Sequence, residues 1–140
     1  MQGWCDPAAG ARVATDERSW VEVVSAVTGI AFRPAPSNAL SLRLEAVRQP
    51  MARLIDGRPG LLVSPTCKVL RRGFNSAYKF KRVFVGGSVV RYMDQPEKNE
   101  ASHVQDALQY AMLGAGGYHD VRVRATPLRP TGTEASYAQT

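Results

Sequence analysis

The spacing of apolar and polar positions divides the chain into short strands and three main helices, with a fourth short one. Residues 1–5 read as the end of a strand that turns at Asp6-Pro7. The proline holds Asp6 extended, which can aim its side chain off the strand end. Thr15 or Asp16 is placed to cap a helix in which Trp20, Val23, Val24 and Val27 recur at helical spacing. Asp16 and Glu17 would put negative charge in its first turn, and Gly29 stops it. Residues 30–32 suggest a short strand closed by Pro34 and Pro36.

Ser37 or Asn38 can open a second helix whose apolar stripe is Leu40, Leu44, Val47 and Met51. Arg43, Glu45 and Arg48 fall off that stripe, and Pro50 ends or kinks the helix. Two extended runs, 53–56 and 61–64, flank a turn at residues 57–60. A short helix over 66–72 is predicted to stop at Gly73. Residues 78–85 and 88–93 flank Gly86-Gly87, the clearest hairpin signal in the chain, because glycines supply the positive φ of a tight turn. Asn99 caps the last helix, which fades at Gly114, Gly116 and Gly117. Residues 121–124 allow a brief strand, and 118–140 as a whole read as a flexible tail.

Composition narrows the picture. The 140 residues suit one domain, and 44% hydrophobic with 21% charged residues suits a packed core rather than a disordered chain. A formal charge of +6 favours a polyanionic partner, nucleic acid first and an anionic membrane surface second, against a basic protein with no such partner. Cys5 and Cys67 have no metal-site spacing; two thiols or one disulfide both fit. No apolar run is long enough to span a bilayer, no signal peptide opens the chain, and no phosphate-binding P-loop is present.

Two acids stand out as candidate chemistry. On the last helix, Val104, Ala107, Leu108 and Ala111 form one stripe, while His103, Asp106, Tyr110 and Leu113 form another roughly opposite it. The second stripe either faces solvent or lines a cleft, with His103 supporting Asp106 from one turn away. Asp6 either starts a turn or offers a carboxylate to a metal. Lys68, Arg71, Arg72, Lys79, Lys81 and Arg82 interleave with Phe74, Tyr78 and Phe80, and a basic, aromatic hairpin of this kind can lie along a phosphate backbone. The alternative is a solvated hairpin with a half-buried aromatic face.

Several segments, in order, resemble one family. They are residues 6–10 (DPAAG), 15–20 (TDERSW), 34–38 (PAPSN), 43–47 (RLEAV), 54–62 (LIDGRPGLL), Cys67-Lys68 with Gly73-Phe74, and Lys98-Asn99 with 102–110 (SHVQDALQY). Together they are similar to the C-terminal nuclease domain of the large terminase subunit of tailed bacteriophages and prophages, over most of residues 3–113. The resemblance implies an RNase H-like α/β nuclease fold over residues 1–117, with a β-hairpin inserted before the last helix. It implies two Mg2+ or Mn2+ ions held by acids from different strands and the final helix, cutting DNA concatemers during genome packaging. By position, Asp6 corresponds to the middle acid and Asp106 to the acid on the last helix; His103 would stand beside the metals, and the basic hairpin would contact DNA.

The family's first metal-binding acid lies on a strand earlier than any seen here, so the resemblance reaches only the later part of the domain. An N-terminally truncated sheet of this kind is expected to leave an open edge and exposed apolar surface, a route to self-association. An acid from another chain, or Asp16 or Asp56, would have to replace the first. The implied partners are double-stranded DNA, the terminase small subunit and the portal, in the cytoplasm of a bacterial host, with no membrane. The alternatives are a non-catalytic DNA-binding or packaging-interaction module, and a portal-docking segment with no role on DNA.

Overall fold

The chain opens with strand β1 (Gln2–Cys5), followed by a 3-10 turn at Pro7–Gly10. The computed structural model describes residues 1–10, 12–13, 16–84, 86 and 90–120. A small antiparallel pair, β2 (Arg12–Val13) and β3 (Asp16–Ser19), leads into helix α1 (Trp20–Thr28). The cap of α1 lies later than Thr15 or Asp16. Ser19 Oγ accepts from the Glu22 backbone N–H at 3.3 Å, and the Glu22 carboxylate accepts from the Ser19 N–H at 2.7 Å. This reciprocal capping box satisfies two helix-end donors at once, so it outcompetes the earlier acids, whose backbone is strand. Gly29, left-handed at φ 67°, ends the helix as expected.

Strand β4 (Ala31–Pro34) then lies parallel to β1, pairing Gln2 with Ala31 through Cys5 with Pro34. Parallel neighbours need a long crossover, and α1 supplies it, giving a βαβ unit. The ladder runs one bond further, with the Ala35 N–H donating to the Cys5 carbonyl at 2.9 Å.

Helix α2 (Leu40–Met51) starts later than Ser37 or Asn38, and Ala39 at its N-cap offers no side-chain cap. Ser37 instead accepts from the Ala39 N–H at 3.1 Å, and Asn38 is used elsewhere. Arg43, Ala46, Val47 and Pro50 form the buried face of α2, whereas Met51 is exposed. The true stripe is thus rotated from the apolar one, and it includes a charged residue. Pro50 falls in the last turn, and the helix ends one residue later.

The expected turn tightens into a two-residue hairpin, β5 (Leu54–Ile55) with β6 (Arg58–Pro59), about Asp56-Gly57. Helix α3 (Lys68–Arg72) does not stop at Gly73 but continues as a wider turn over Gly73–Ala77. Glycine is needed there for close packing: a Cβ at 73 would stand 2.5 Å from Gln105 Nε2. The hairpin is present as antiparallel β7 (Phe80–Phe84) and β8 (Val90–Pro96), with a bulge between Phe80 and Arg82. Its tip at Gly87 lies outside the described residues, as do the strand expected at 121–124 and most of the expected tail; 118–120 are helical.

Helix α4 (Glu100–Met112) begins with a second capping box, in which Asn99 Oδ1 accepts from the Ser102 N–H at 2.9 Å and Ser102 Oγ accepts from the Asn99 N–H at 3.0 Å. Its buried face is Ala101, Ser102, Gln105, Gln109 and Tyr110, continuing into Leu113. The stripe of Val104, Ala107, Leu108 and Ala111 is only half-buried, with Ala107 exposed. Each buried glutamine has its amide nitrogen bonded: Gln105 Nε2 donates to the Leu70 carbonyl at 3.1 Å, and Gln109 Nε2 to the Tyr78 hydroxyl at 2.9 Å, while Gln109 Oε1 has no partner among the described residues. Leu113 and Ala46 join α4 to α2, with Leu42, Met112 and Tyr118 packed around them. Burying Leu113 whole contributes roughly 2 kcal/mol.

The architecture is mixed α/β, with two-stranded sheets and four helices among the described residues. Helix α1 buries no residue: Trp20 is 63% and Val27 81% exposed. Helix α1 therefore carries exposed apolar surface at Trp20 and Val27. Both cysteines are thiols. No described helix is long and apolar enough to cross a membrane.

Candidate functional site

Asp6 follows the carboxyl end of β1, and Asn38 follows the carboxyl end of β4. Ligands in α/β folds collect beyond these strand ends, where loops diverge and leave a crevice. Helix α4 brings Asp106 and Tyr110, one turn apart, to the same place, and α2 brings Arg43. The connection from β8 to α4 adds Lys98. Asp6, Asn38, Arg43, Lys98, Asp106 and Tyr110 thus line one polar pocket of about 290 Å3. The two acids singled out from opposite ends of the sequence share it.

What lets β1 reach α4 is a missing side chain. Gly114, one turn beyond Tyr110, lies against the Trp4 indole, and a Cβ at 114 would overlap that ring. Trp4 is two residues before Asp6, so this close approach places the carboxylate. The Asp6 side chain is also fixed locally, accepting from the Ala8 N–H at 2.8 Å.

Asp106 is held by two cations. Its Oδ1 accepts from Arg43 Nη1 at 3.3 Å and its Oδ2 from Lys98 Nζ at 2.8 Å. Arg43 is 6% exposed, and its guanidinium sits 4.7 Å from the centre of the Tyr110 ring, a cation–π contact. Its Nε is buried without a partner among the described residues. Tyr110 in turn donates its hydroxyl to Asn38 Oδ1 at 2.7 Å. Burial, and the Asp6 carboxylate close to the same hydroxyl, push the Tyr110 pKa up to about 12, against the pull of Arg43. Burial, then the charge of Asp6, also raises the Cys5 thiol pKa.

His103 is exposed and is not part of the pocket lining, although it shares α4 with Asp106. Asp56 lies in the β5–β6 turn and is not part of that lining. Among the described residues, no group of three or more His, Cys, Asp or Glu side chains is arranged to hold a metal. Lys68, Arg71, Arg72, Lys79, Lys81 and Arg82 are all exposed. Arg72 pairs with Glu100, and Arg71 Nη1 donates to the Pro65 carbonyl at 3.4 Å. Lys79, Lys81 and Arg82 gather with Phe80, Tyr92 and Glu97 around a cavity of about 350 Å3 on the hairpin. Arg82 and Tyr92 are direct cross-strand partners and share one face, which mixes a cation with an aromatic ring.

Arg43, Asn38 and Lys98 complete a pocket of which the sequence marked the two acids and, on the stripe of Asp106, Tyr110. Arg43 had a signal: it is spaced with Ala46, Val47 and Pro50 along one helical face. No family model, no curated protein and no solved structure matches the chain.

Proposed function

We propose that residues 1–117 are part of an RNase H-like, divalent-metal-dependent DNA endonuclease of the phage terminase large-subunit type. In this reading the protein cuts concatemeric DNA during viral genome packaging. The observation that carries the proposal is the shared pocket of Asp6 and Asp106 beyond the carboxyl ends of parallel strands. The pocket's donors suit a hard cation in kind, being two carboxylates and the Asn38 amide oxygen. They suit one Mg2+ or Mn2+ in number, since such an ion commonly takes one or two carboxylates and keeps several waters. A pair of ions needs a further carboxylate beyond the two that line this pocket among the described residues.

When bound, the ion would activate a water and neutralise charge on the phosphoryl oxygens. The chain's own residues do the positioning. Arg43, buried and stacked on Tyr110, fixes the Asp106 carboxylate; Tyr110 fixes Asn38 through its hydroxyl. The cations at 79, 81 and 82 hold the DNA strand by its phosphates. By the same resemblance the partners are double-stranded DNA, the terminase small subunit and the portal, in the host cytoplasm.

A second reading is a DNA-binding or packaging-interaction module that does not cut. It draws on the two cations that already neutralise Asp106. Plasmid nicking with Mn2+, alongside DNA binding across a salt series, separates the two. The endonuclease reading expects nicking that disappears in D6N and in D106N. Salt-sensitive binding, weakened by K79Q and K81Q, with no nicking favours the second reading. Nicking retained by both aspartate variants removes the first.

A further inference from the structure

We propose that Lys98 is a displaceable counterion that occupies the metal-facing oxygen of Asp106 until a divalent cation takes its place. The inference rests on the metal-binding reading above and adds how access to that site is controlled. Both Asp106 oxygens are engaged, but by unequal partners. Arg43, on Oδ1, has a side chain only 8% exposed, and moving it would strand a guanidinium among buried groups. Lys98, on Oδ2, has a side chain 66% exposed, on a flexible stem that can swing into water. An exposed ion pair is weak, so Lys98 yields where Arg43 does not.

The charge balance points the same way. Asp6 and Asp106 carry two negative charges into the pocket, and Arg43 and Lys98 carry two positive ones. Counted over the described residues, the pocket is neutral with Lys98 in place. Addition of a doubly charged ion beside a retained ammonium is opposed by repulsion; departure of the ammonium relieves it and frees Oδ2 as a ligand. The ammonium is then available to the phosphodiester of a DNA strand, the anion that the same reading brings to the site. Metal and DNA should therefore favour each other's binding, and Lys98 should carry part of that coupling.

The test is Mn2+ binding by calorimetry or electron paramagnetic resonance on the whole chain, without DNA and then with a phosphorothioate duplex that resists cleavage. K98Q is expected to bind Mn2+ about 10-fold more tightly than the parent without DNA, with K98R close to the parent. Neutralising a remote exposed cation, R58Q, should leave the affinity unchanged. The gain in Mn2+ affinity caused by the duplex should shrink in K98Q. Parent-like or weaker binding by K98Q, or an equal gain in R58Q, overturns the counterion role while leaving the metal site standing. Binding indifferent to D106N, or absent in every variant, overturns the metal reading and this inference together.

Discussion

The Trp4 indole packs so closely on Gly114 that a Cβ at 114 would overlap it, and this contact ties the first strand of the chain to the end of its last helix. It is the packing reason that Asp6 and Asp106 face one pocket. G114A should force the indole aside at a cost of about 1–3 kcal/mol, as overpacked cores show. Denaturant unfolding should report the loss, and tryptophan fluorescence a more exposed ring. Unchanged stability and emission would mean that β1 is not anchored here.

Arg43 gives Asp106 a structural role. D106A leaves a buried guanidinium without its partner and should destabilise the fold by about 3 kcal/mol. D106N keeps a hydrogen-bond acceptor for Arg43 and should lose distinctly less. Equal losses in urea titrations would show that the charge contributes nothing to the pair's stability. Activity comparisons should therefore rely on D106N.

Tyr110 should make the protein fail in alkali. Its pKa, raised from 10.0 to about 12, means that the folded chain keeps a proton that the unfolded chain releases first. The associated stability is complete below pH 10 and is lost as pH climbs toward about 12. The loss is on the order of 2 kcal/mol. Y110F should flatten that decline in stability curves taken across the window, and phenolate absorbance should lose its last step. A decline unaltered by Y110F would contradict the account.

The two thiols should react at different rates. Cys5 is half-buried, donates to the Arg33 carbonyl at 3.4 Å and has its pKa raised by burial and by Asp6, so little thiolate forms near neutrality. Cys67 is exposed. Iodoacetamide with peptide mapping should find Cys67 labelled well before Cys5. Comparable rates would mean that β1 opens readily.

Much of the element order could be read from local chemistry. Gly29, Asn99 and the hairpin before the last helix were legible because a stop, a cap and a tight turn each depend on a few adjacent residues. The buried faces of α2 and α4 were not. Periodicity treats a glutamine or an arginine as solvated, whereas Gln105, Gln109 and Arg43 go inside with at least one polar atom of each bonded to a tertiary partner. The same blindness hid most of the site. Asp6 and Asp106 were visible as isolated acids, but Lys98, Asn38 and Tyr110 acquire meaning only when β1, β4 and α4 converge. His103, one turn from Asp106, looked like a supporting residue, yet it projects on the exposed side of the helix.

The shared site is tested most directly by Mn2+-induced broadening of backbone amide signals in a nuclear magnetic resonance titration. The account predicts that the amides of Ala8, bonded to Asp6, and of Asp106 vanish together at the same low Mn2+ concentration, while those of the Asp56 turn persist. Broadening at one end of the chain without the other, or at neither, would contradict it.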